Sequence, residues 1–240
     1  MLRAEGLRKC YGDLVALEGL DLTVNPGEVA CLLGANGAGK TTTINLFLGL
    51  QKPTAGLAFV NGIDVAKFPN EARRFLAYLP EQVMLYPQLS GLENLEYFSS
   101  LGRKTPMDQT YLLQCLERTG LSKTAIRKPL ETYSKGMRQK VGIAITIAKQ
   151  AKALVLDEPT SGLDPLASLE FSNLLNQLRE DNVAILMATH DLFRALDLSA
   201  RLIIMRQGVV VESLNSSEVS PTDLERIYVA CMRGEQIETN

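Results

Sequence analysis

The chain has 240 residues, enough for one sizeable α/β domain with a lobe inserted into it, and a tight fit for two independent domains. Hydrophobic residues make up 46% and charged residues 22%, a balance that excludes a disordered or fibrous chain. Lys and Arg total 25 against 27 Asp and Glu, and the net charge of -2 offers no global basic surface for nucleic acid or anionic lipid.

In chain order, apolar and polar residues first alternate at Leu20, Leu22 and Val24. Pro26-Gly27 then turns the chain into the run Glu28 to Leu33, which predicts two strands joined by a turn. A glycine-rich loop follows. After it Ile44, Phe47 and Leu48 recur at helical spacing until Gly49 and Pro53 end the pattern. Leu57 to Val60 precedes Asn61-Gly62, a dipeptide that tolerates positive φ and predicts a tight hairpin turn. From Ser90 to Ala148 the character is helical: Ser90 with Glu93 forms a capping box, and Leu92, Leu95, Phe98 and Leu101 mark one face. Pro106 and Gly120 punctuate this stretch, which reads as a helical lobe inserted into the α/β core. Strand signals return at Ala153 to Leu156, Val183 to Ala188, Leu202 to Met205 and Val209 to Val211, with a helical pattern at Leu166, Leu169 and Leu178. From Ser213 onward come a loop and one short amphipathic helix built on Leu224, Ile227 and Cys231. Alternation of strand and helix argues for a largely parallel core sheet.

Apolar runs such as Val141 to Ala148 fall far below the roughly 20 residues that span a bilayer. The N-terminus carries no apolar secretory run, so the default compartment is the cytoplasm and any membrane role comes through a partner. Cys10, Cys31, Cys115 and Cys231 are scattered without metal-binding spacing and are expected to be reduced.

Two motifs carry chemistry. Gly34-Ala35-Asn36-Gly37-Ala38-Gly39-Lys40-Thr41 fits G-x-x-x-x-G-K-[ST] without a mismatch, after a strand and before a helix. Glycines let the backbone wrap an anion so that successive N–H groups and the positive helix end face the phosphates. Lys40 is expected to neutralise the β and γ phosphates and the Thr41 hydroxyl to ligate Mg²⁺, with Thr42 completing the loop's contacts. The strand Ala153 to Leu156 ends in Asp157-Glu158-Pro159. Adjacent carboxylates at a strand's carboxyl end point in different directions and can take different roles where α/β sheets bind ligands. Asp157 is expected to hold Mg²⁺ through water, and Glu158 to orient the water that attacks the γ-phosphate. Alone, such an acidic pair reads as a solvated strand end; the phosphate loop upstream reverses that reading.

Tyr133-Ser134-Lys135-Gly136-Met137-Arg138-Gln139 resembles the signature of the ABC ATPases, usually Leu-Ser-Gly-Gly-Gln, and lies a short helix ahead of the acidic strand. Tyr11 looks like that family's adenine-stacking aromatic, Ser161-Gly162-Leu163-Asp164 like its D-loop, and His190, the only histidine, like its switch histidine. The resemblance implies a P-loop NTPase (RecA-like) fold. Its parts are a mainly parallel core from 1–88 and 151–212, with an N-terminal antiparallel β subdomain, an inserted helical signature subdomain at 89–150 and a C-terminal tail at 213–240. It also implies an ATPase that binds ATP and Mg²⁺ and powers an ABC membrane transporter. Two copies, or one copy and a similar ATPase, would sandwich two nucleotides, with Ser134, Lys135, Gly136 and Asp164 meeting those across the interface. The implied partners are integral-membrane permease subunits, placing the chain peripherally on the cytoplasmic face; no nucleic acid is implied. Glu158 and His190 are the implied catalytic residues. Two departures stand out: Lys135 replaces the signature's first glycine, and Leu79-Pro80-Glu81-Gln82 puts Glu81 where the Q-loop glutamine is expected and Gln82, the alternative Mg²⁺ ligand, one place later. Residues 79–90 and 133–139 look most like exporter-type ATPases, including those serving copper-enzyme maturation in nitrous oxide reduction. An ABC ATPase working on a macromolecular complex is the alternative, disfavoured by the absence of a long coiled-coil insertion or a tandem unit. A switch GTPase is disfavoured because the chain has no Asn-Lys-x-Asp motif.

Overall fold

The computed structural model describes residues 1–101 and 105–235. The chain opens with β1 (Leu2–Tyr11) and β2 (Leu14–Val24), an antiparallel pair, and continues into β3 (Val29–Leu33), which belongs to a different sheet. The expected pair of strands around Pro26-Gly27 therefore exists but does not form a hairpin. β1 gave no clear alternation because Gly6 adopts φ 52 and shifts the register between Ala4 and Leu7, so Leu2, Ala4 and Leu7 all face inward across a bulge.

Helix α1 (Lys40–Phe47) follows the glycine loop and buries Ile44, Leu46 and Phe47. β4 (Ala55–Val60) and β5 (Ile63–Asp64) are joined through Asn61 and Gly62 at φ 51 and 77, the positive pair that a tight hairpin demands. A one-turn helix α2 (Pro69–Ala72) leads to β6 (Leu76–Leu79). The helical lobe then comprises α3 (Gly91–Ser100), α4 (Gln109–Arg118), the short α5 (Lys123–Ile126) and α6 (Lys135–Ala148). The Ser90–Glu93 capping box is formed in both directions. Leu92 and Leu95 of α3 pack with Leu112 and Leu116 of α4 and with Val141 and Ala144 of α6 into a core of the lobe's own, whereas Leu101 lies past the end of α3 and is exposed.

The chain returns through β7 (Ala153–Asp157), α7 (Pro165–Glu180), β8 (Ala184–Thr189), α8 (Leu192–Leu198), β9 (Arg201–Arg206), β10 (Val209–Asn215) and α9 (Pro221–Arg233). The face of α7 that packs on the sheet is Phe171, Leu174, Leu175 and Leu178. Leu166 and Leu169, expected in the same apolar pattern, are 66% and 54% exposed. The last part of the 213–240 tail, residues 236–240, lies outside the described residues.

Two sheets result, ordered β2-β1-β4-β5 and β10-β9-β3-β8-β7-β6. In the larger, β6, β7, β8, β3 and β9 run parallel and only the edge strand β10 is antiparallel. β3 and β8 are buried along their whole length, as strands covered on both faces must be, which is why they read as unbroken apolar runs. Successive side chains serve opposite faces. Leu32, Val155 and Leu186 pack towards α1 and the antiparallel sheet, while Leu33, Leu156 and Met187 pack towards α7. Each buried leucine contributes roughly 1.5–3 kcal/mol from lost apolar surface. The carboxyl ends of β3, β8 and β7 are thereby held side by side.

Candidate nucleotide site

The loop between β3 and α1 is shaped by close backbone approach. A Cβ on Gly34 would sit 2.5 Å from the Met205 carbonyl oxygen and 2.8 Å from Ala38 Cβ, so only glycine fits where the loop leaves its strand. Gly39 adopts φ 107 immediately before α1, beyond the reach of a residue with a side chain. No side chain caps α1 and no acidic residue occupies its first turn, so its leading amides keep their capacity for an anion. Lys40 is 7% exposed and folds back over the loop, donating to the carbonyls of Gly34 at 2.5 Å and Ala35 at 3.3 Å.

Residues 35–42 line a cavity of about 380 Å³ together with Tyr11, Val15, Ala16 and Gln207. Tyr11 is 42% exposed and carries the Lys9 ammonium 4.9 Å from its ring centroid. Gln207 belongs to the β9–β10 turn, which is tied to the loop by Gly208 N–H donating to the Ala38 carbonyl at 3.0 Å. Gln207 was missed from sequence because nothing in its surroundings marks a turn that packs on residues so far upstream.

The acidic pair occupies the end of β7. Asp157 is half-buried, and its carboxyl is pushed above the usual range by burial and further by the charges of Glu158 and Glu81, against the opposing pull of Lys40. Such a group gains from a cation brought to it. Glu158 sits at φ 46, a left-handed conformation unusual outside glycine, and its N–H donates to the Ala188 carbonyl at 2.8 Å. This twist carries its side chain to the end of β8. There the carboxylate accepts from Thr189 Oγ1 at 2.9 Å and from the His190 backbone at 3.4 Å, and meets His190 Nδ1 at 2.8 Å. An ionised Glu158 makes Nδ1 the protonated ring nitrogen. Thr189 is the second residue that sequence reasoning passed over; as a strand-end threonine it gave no signal until β8 was placed beside β7.

The remaining expected residues gather one step away. Ser134 caps α6, its hydroxyl accepting from Met137 N–H at 3.2 Å. Asp164 caps α7 by accepting from Ala167 N–H at 2.9 Å, with Pro165 in the first helical position. Lys135 Nζ donates to the Ser161 carbonyl at 2.5 Å, Gln139 Nε2 donates to the Pro159 carbonyl, and Ser161 Oγ donates to Glu81 Oε1 at 2.9 Å. Glu81 and Gln82 are both exposed, and Glu81 is the one bonded to Ser161 and near enough to Asp157 for its charge to act there. None of Ser134, Lys135, Gly136 or Asp164 lines the cavity around Lys40. The structure brings the loop, Tyr11, Asp157, Glu158, Glu81 and His190 to one end of the sheet and leaves the α6 N-terminus beside it.

Residues 17–161 match the family described as ABC transporter. The chain is 36% identical over 217 residues to the doxorubicin resistance ATP-binding protein DrrA of Mycobacterium tuberculosis, covering 89% of this chain and 65% of that one. It is 32% identical over 241 residues to the phosphonates import ATP-binding protein PhnC 3 of a Nostoc species, covering 95% and 92%. The chain spans about two thirds of the length of the resistance protein it matches. Among solved structures, the dimeric post-hydrolysis state of the ATP-binding cassette MJ0796, bound to ADP and phosphate, superposes with a TM-score of 0.80 at 26% identity, over 90% of this chain and 99% of that one.

Proposed function

The chain belongs to the ABC transporter family, and from that premise we propose that it is an ATP-hydrolysing motor subunit, working as a pair of cassettes that close around two nucleotides and drive membrane permease subunits. The observation that carries this reading is the common placement of the phosphate loop, Asp157-Glu158 and His190 on the ends of β3, β7 and β8, with the capped end of α6 alongside but outside the cavity.

In this reading the triphosphate rests on the amides of residues 35–42, and Lys40 exchanges its two loop carbonyls for the β and γ phosphates. Tyr11 stacks on the base. Thr41 would hold Mg²⁺ through its hydroxyl and Asp157 through water, and the ion would supply charge neutralisation on the phosphates. The raised Asp157 carboxyl fits that role, because a nearby cation restores its ionised form. Glu158 orients water for attack on the γ-phosphorus, the bond to the ADP oxygen breaks, and ADP and phosphate leave. His190 and Thr189 hold the Glu158 carboxylate in place, and His190 Nε2 would reach the γ-phosphate as a donor when the ring carries both protons. Glu81, fixed by Ser161, takes the Q-loop position in preference to Gln82. Positioning and charge dominate phosphoryl transfer, so these few groups suffice.

Ser134, Gly136 and the D-loop residue Asp164 serve the nucleotide of the second copy. Among the described residues no helix is long and apolar enough to cross a membrane, so contact with cargo falls to the permease. We assign the direction as export, on residues 79–90 and 133–139 and on the likeness to a resistance protein; transport by a phosphonate importer's relative would run the other way. The copper-maturation subgroup gains no support from these names.

The reading is tested with Glu158→Gln. The variant should bind Mg-ATP with unchanged affinity, form an ATP-dependent dimer on size exclusion, and hydrolyse ATP at least roughly 100-fold more slowly. Normal turnover would remove Glu158 from the reaction, and absence of Mg-ATP binding in the unaltered chain would end the proposal.

A further inference from the structure

Ser161 is held from three sides, each by a different element. Its N–H donates to the Glu158 carbonyl at 3.2 Å, its hydroxyl donates to Glu81 Oε1 at 2.9 Å, and its carbonyl accepts from Lys135 Nζ at 2.5 Å. The lysine comes from the first residue of α6, the helix whose capped N-terminus faces outward, and is half-buried. One turn further along the same face, Gln139 is fully buried and donates to the Pro159 carbonyl. The start of α6 therefore grips two carbonyls of the segment that directly follows Glu158.

The chemistry of the grip is unusual. Among the described residues no carboxylate lies within ion-pair distance of the Lys135 ammonium; its acceptor is a neutral main-chain oxygen. A charge-assisted bond of this kind holds the 159–161 turn, and the turn continues directly from a residue already twisted to φ 46. A shift of the α6 N-terminus would be transmitted through Ser161 to the Glu158 main chain and to Glu81 together.

We propose that Lys135 is a positioning residue: bonded to the Ser161 carbonyl, it couples the placement of the α6 N-terminus to the alignment of Glu158 and Glu81 within the same chain. The inference rests on the ATPase reading above, since it is hydrolysis that the alignment serves. It gives the lysine a role in its own chain's site rather than a contact with the nucleotide of the other copy.

Three variants separate these roles. Lys135→Met keeps the length and removes the donor, Lys135→Arg keeps a charged donor, and Lys135→Met combined with Glu158→Gln reports dimer formation without turnover. The expected result for Lys135→Met is kcat lower by roughly tenfold with KM for ATP and monomer affinity for a fluorescent ATP analogue within about twofold, and recovery to within about threefold in Lys135→Arg. In the Glu158→Gln background, Lys135→Met should leave ATP-dependent dimerisation within about twofold. Unchanged kcat overturns the proposal, and so does a loss of dimerisation as large as the loss of kcat, which would place the lysine on the second copy's nucleotide. Because the unaltered chain is assayed alongside, absence of any ATPase activity would sink the underlying reading and not this one alone.

Discussion

In the proposed reading the phosphate loop and the outer end of α6 are both helix starts that face an anion, yet they are built in opposite ways. At the loop, every feature turns inward: Gly34 is pressed against Met205, Lys40 is buried over two carbonyls, and the leading turn of α1 has no side-chain cap. At α6, Ser134 is an exposed cap, Lys135 and Gly136 are half-buried, and the following helix α7 presents Leu166 and Leu169 to the outside. The first helix start has its cavity within the chain. The second has a capped end that lies outside that cavity, as the proposed sharing of nucleotide with a second copy requires.

The sharpest way to break this contrast is Lys40→Met, which removes the ammonium and keeps the stem. Monomer affinity for a fluorescent ATP analogue should fall by roughly 100-fold, because one charge then no longer meets two phosphates in a largely buried site. If the monomer still binds as tightly as the unaltered chain, the loop is not the self-sufficient half. Ser134→Ala probes the other side with a smaller effect. Loss of the cap lowers stability by about 1 kcal/mol on denaturant titration, and ATP-dependent dimerisation should weaken roughly tenfold while monomer binding stays within about twofold. A matching drop in monomer binding would show that the α6 end serves its own chain's nucleotide.

How much of this was legible in the sequence follows the same division. The parts that read plainly are those whose determinants are contiguous: the loop 34–41, the Asn61-Gly62 turn, the Ser90–Glu93 box, and the buried runs of β3, β7 and β8. β1 was hidden because register shifts against β2 between Ala4 and Leu7, Leu7 and Lys9, and Lys9 and Cys10, the first at Gly6 with φ 52, destroy the period-2 pattern on which strand reading depends. Gln207 and Thr189 were hidden because their value lies in neighbours brought by strand order, 10-9-3-8-7-6, which periodicity does not encode. Sequence left Glu81 and Gln82 tied, and the Ser161 bond to Glu81 is what the proposed choice of Glu81 rests on. Lys135 read as a charge added beside a nucleotide, whereas its side chain turns to the Ser161 carbonyl, a direction set by where α6 and the 159–163 turn meet in space. Leu166 and Leu169 match helical spacing yet lie off the packed face, since α7 buries Phe171, Leu174, Leu175 and Leu178.

The smallest expected effect is the most diagnostic of how the inward half is poised. The Asp157 carboxyl is raised by burial first and by Glu158 and Glu81 next, with Lys40 opposing. A carboxyl raised in the folded state binds its proton more tightly there than in the unfolded chain, so its contribution is fully stabilising only below the unfolded value, near pH 4, and is lost as pH rises through the folded value. At neutral pH the ionised Asp157 is therefore a mild liability in the absence of ligand. Asp157→Asn should raise the thermal midpoint of the nucleotide-free protein at pH 7.5 by roughly 2 °C, a modest figure because the group is only half-buried and partly screened. The gain should shrink as the pH is lowered towards 4, where the native carboxyl is already protonated. Adding Mg-ATP should invert the order, the unaltered chain gaining more than the variant, because the cation turns the liability into a ligand. An Asp157→Asn protein no more stable than its parent at pH 7.5 would show that Lys40 already compensates the charge, and that the inward half is balanced before nucleotide arrives rather than strained towards it.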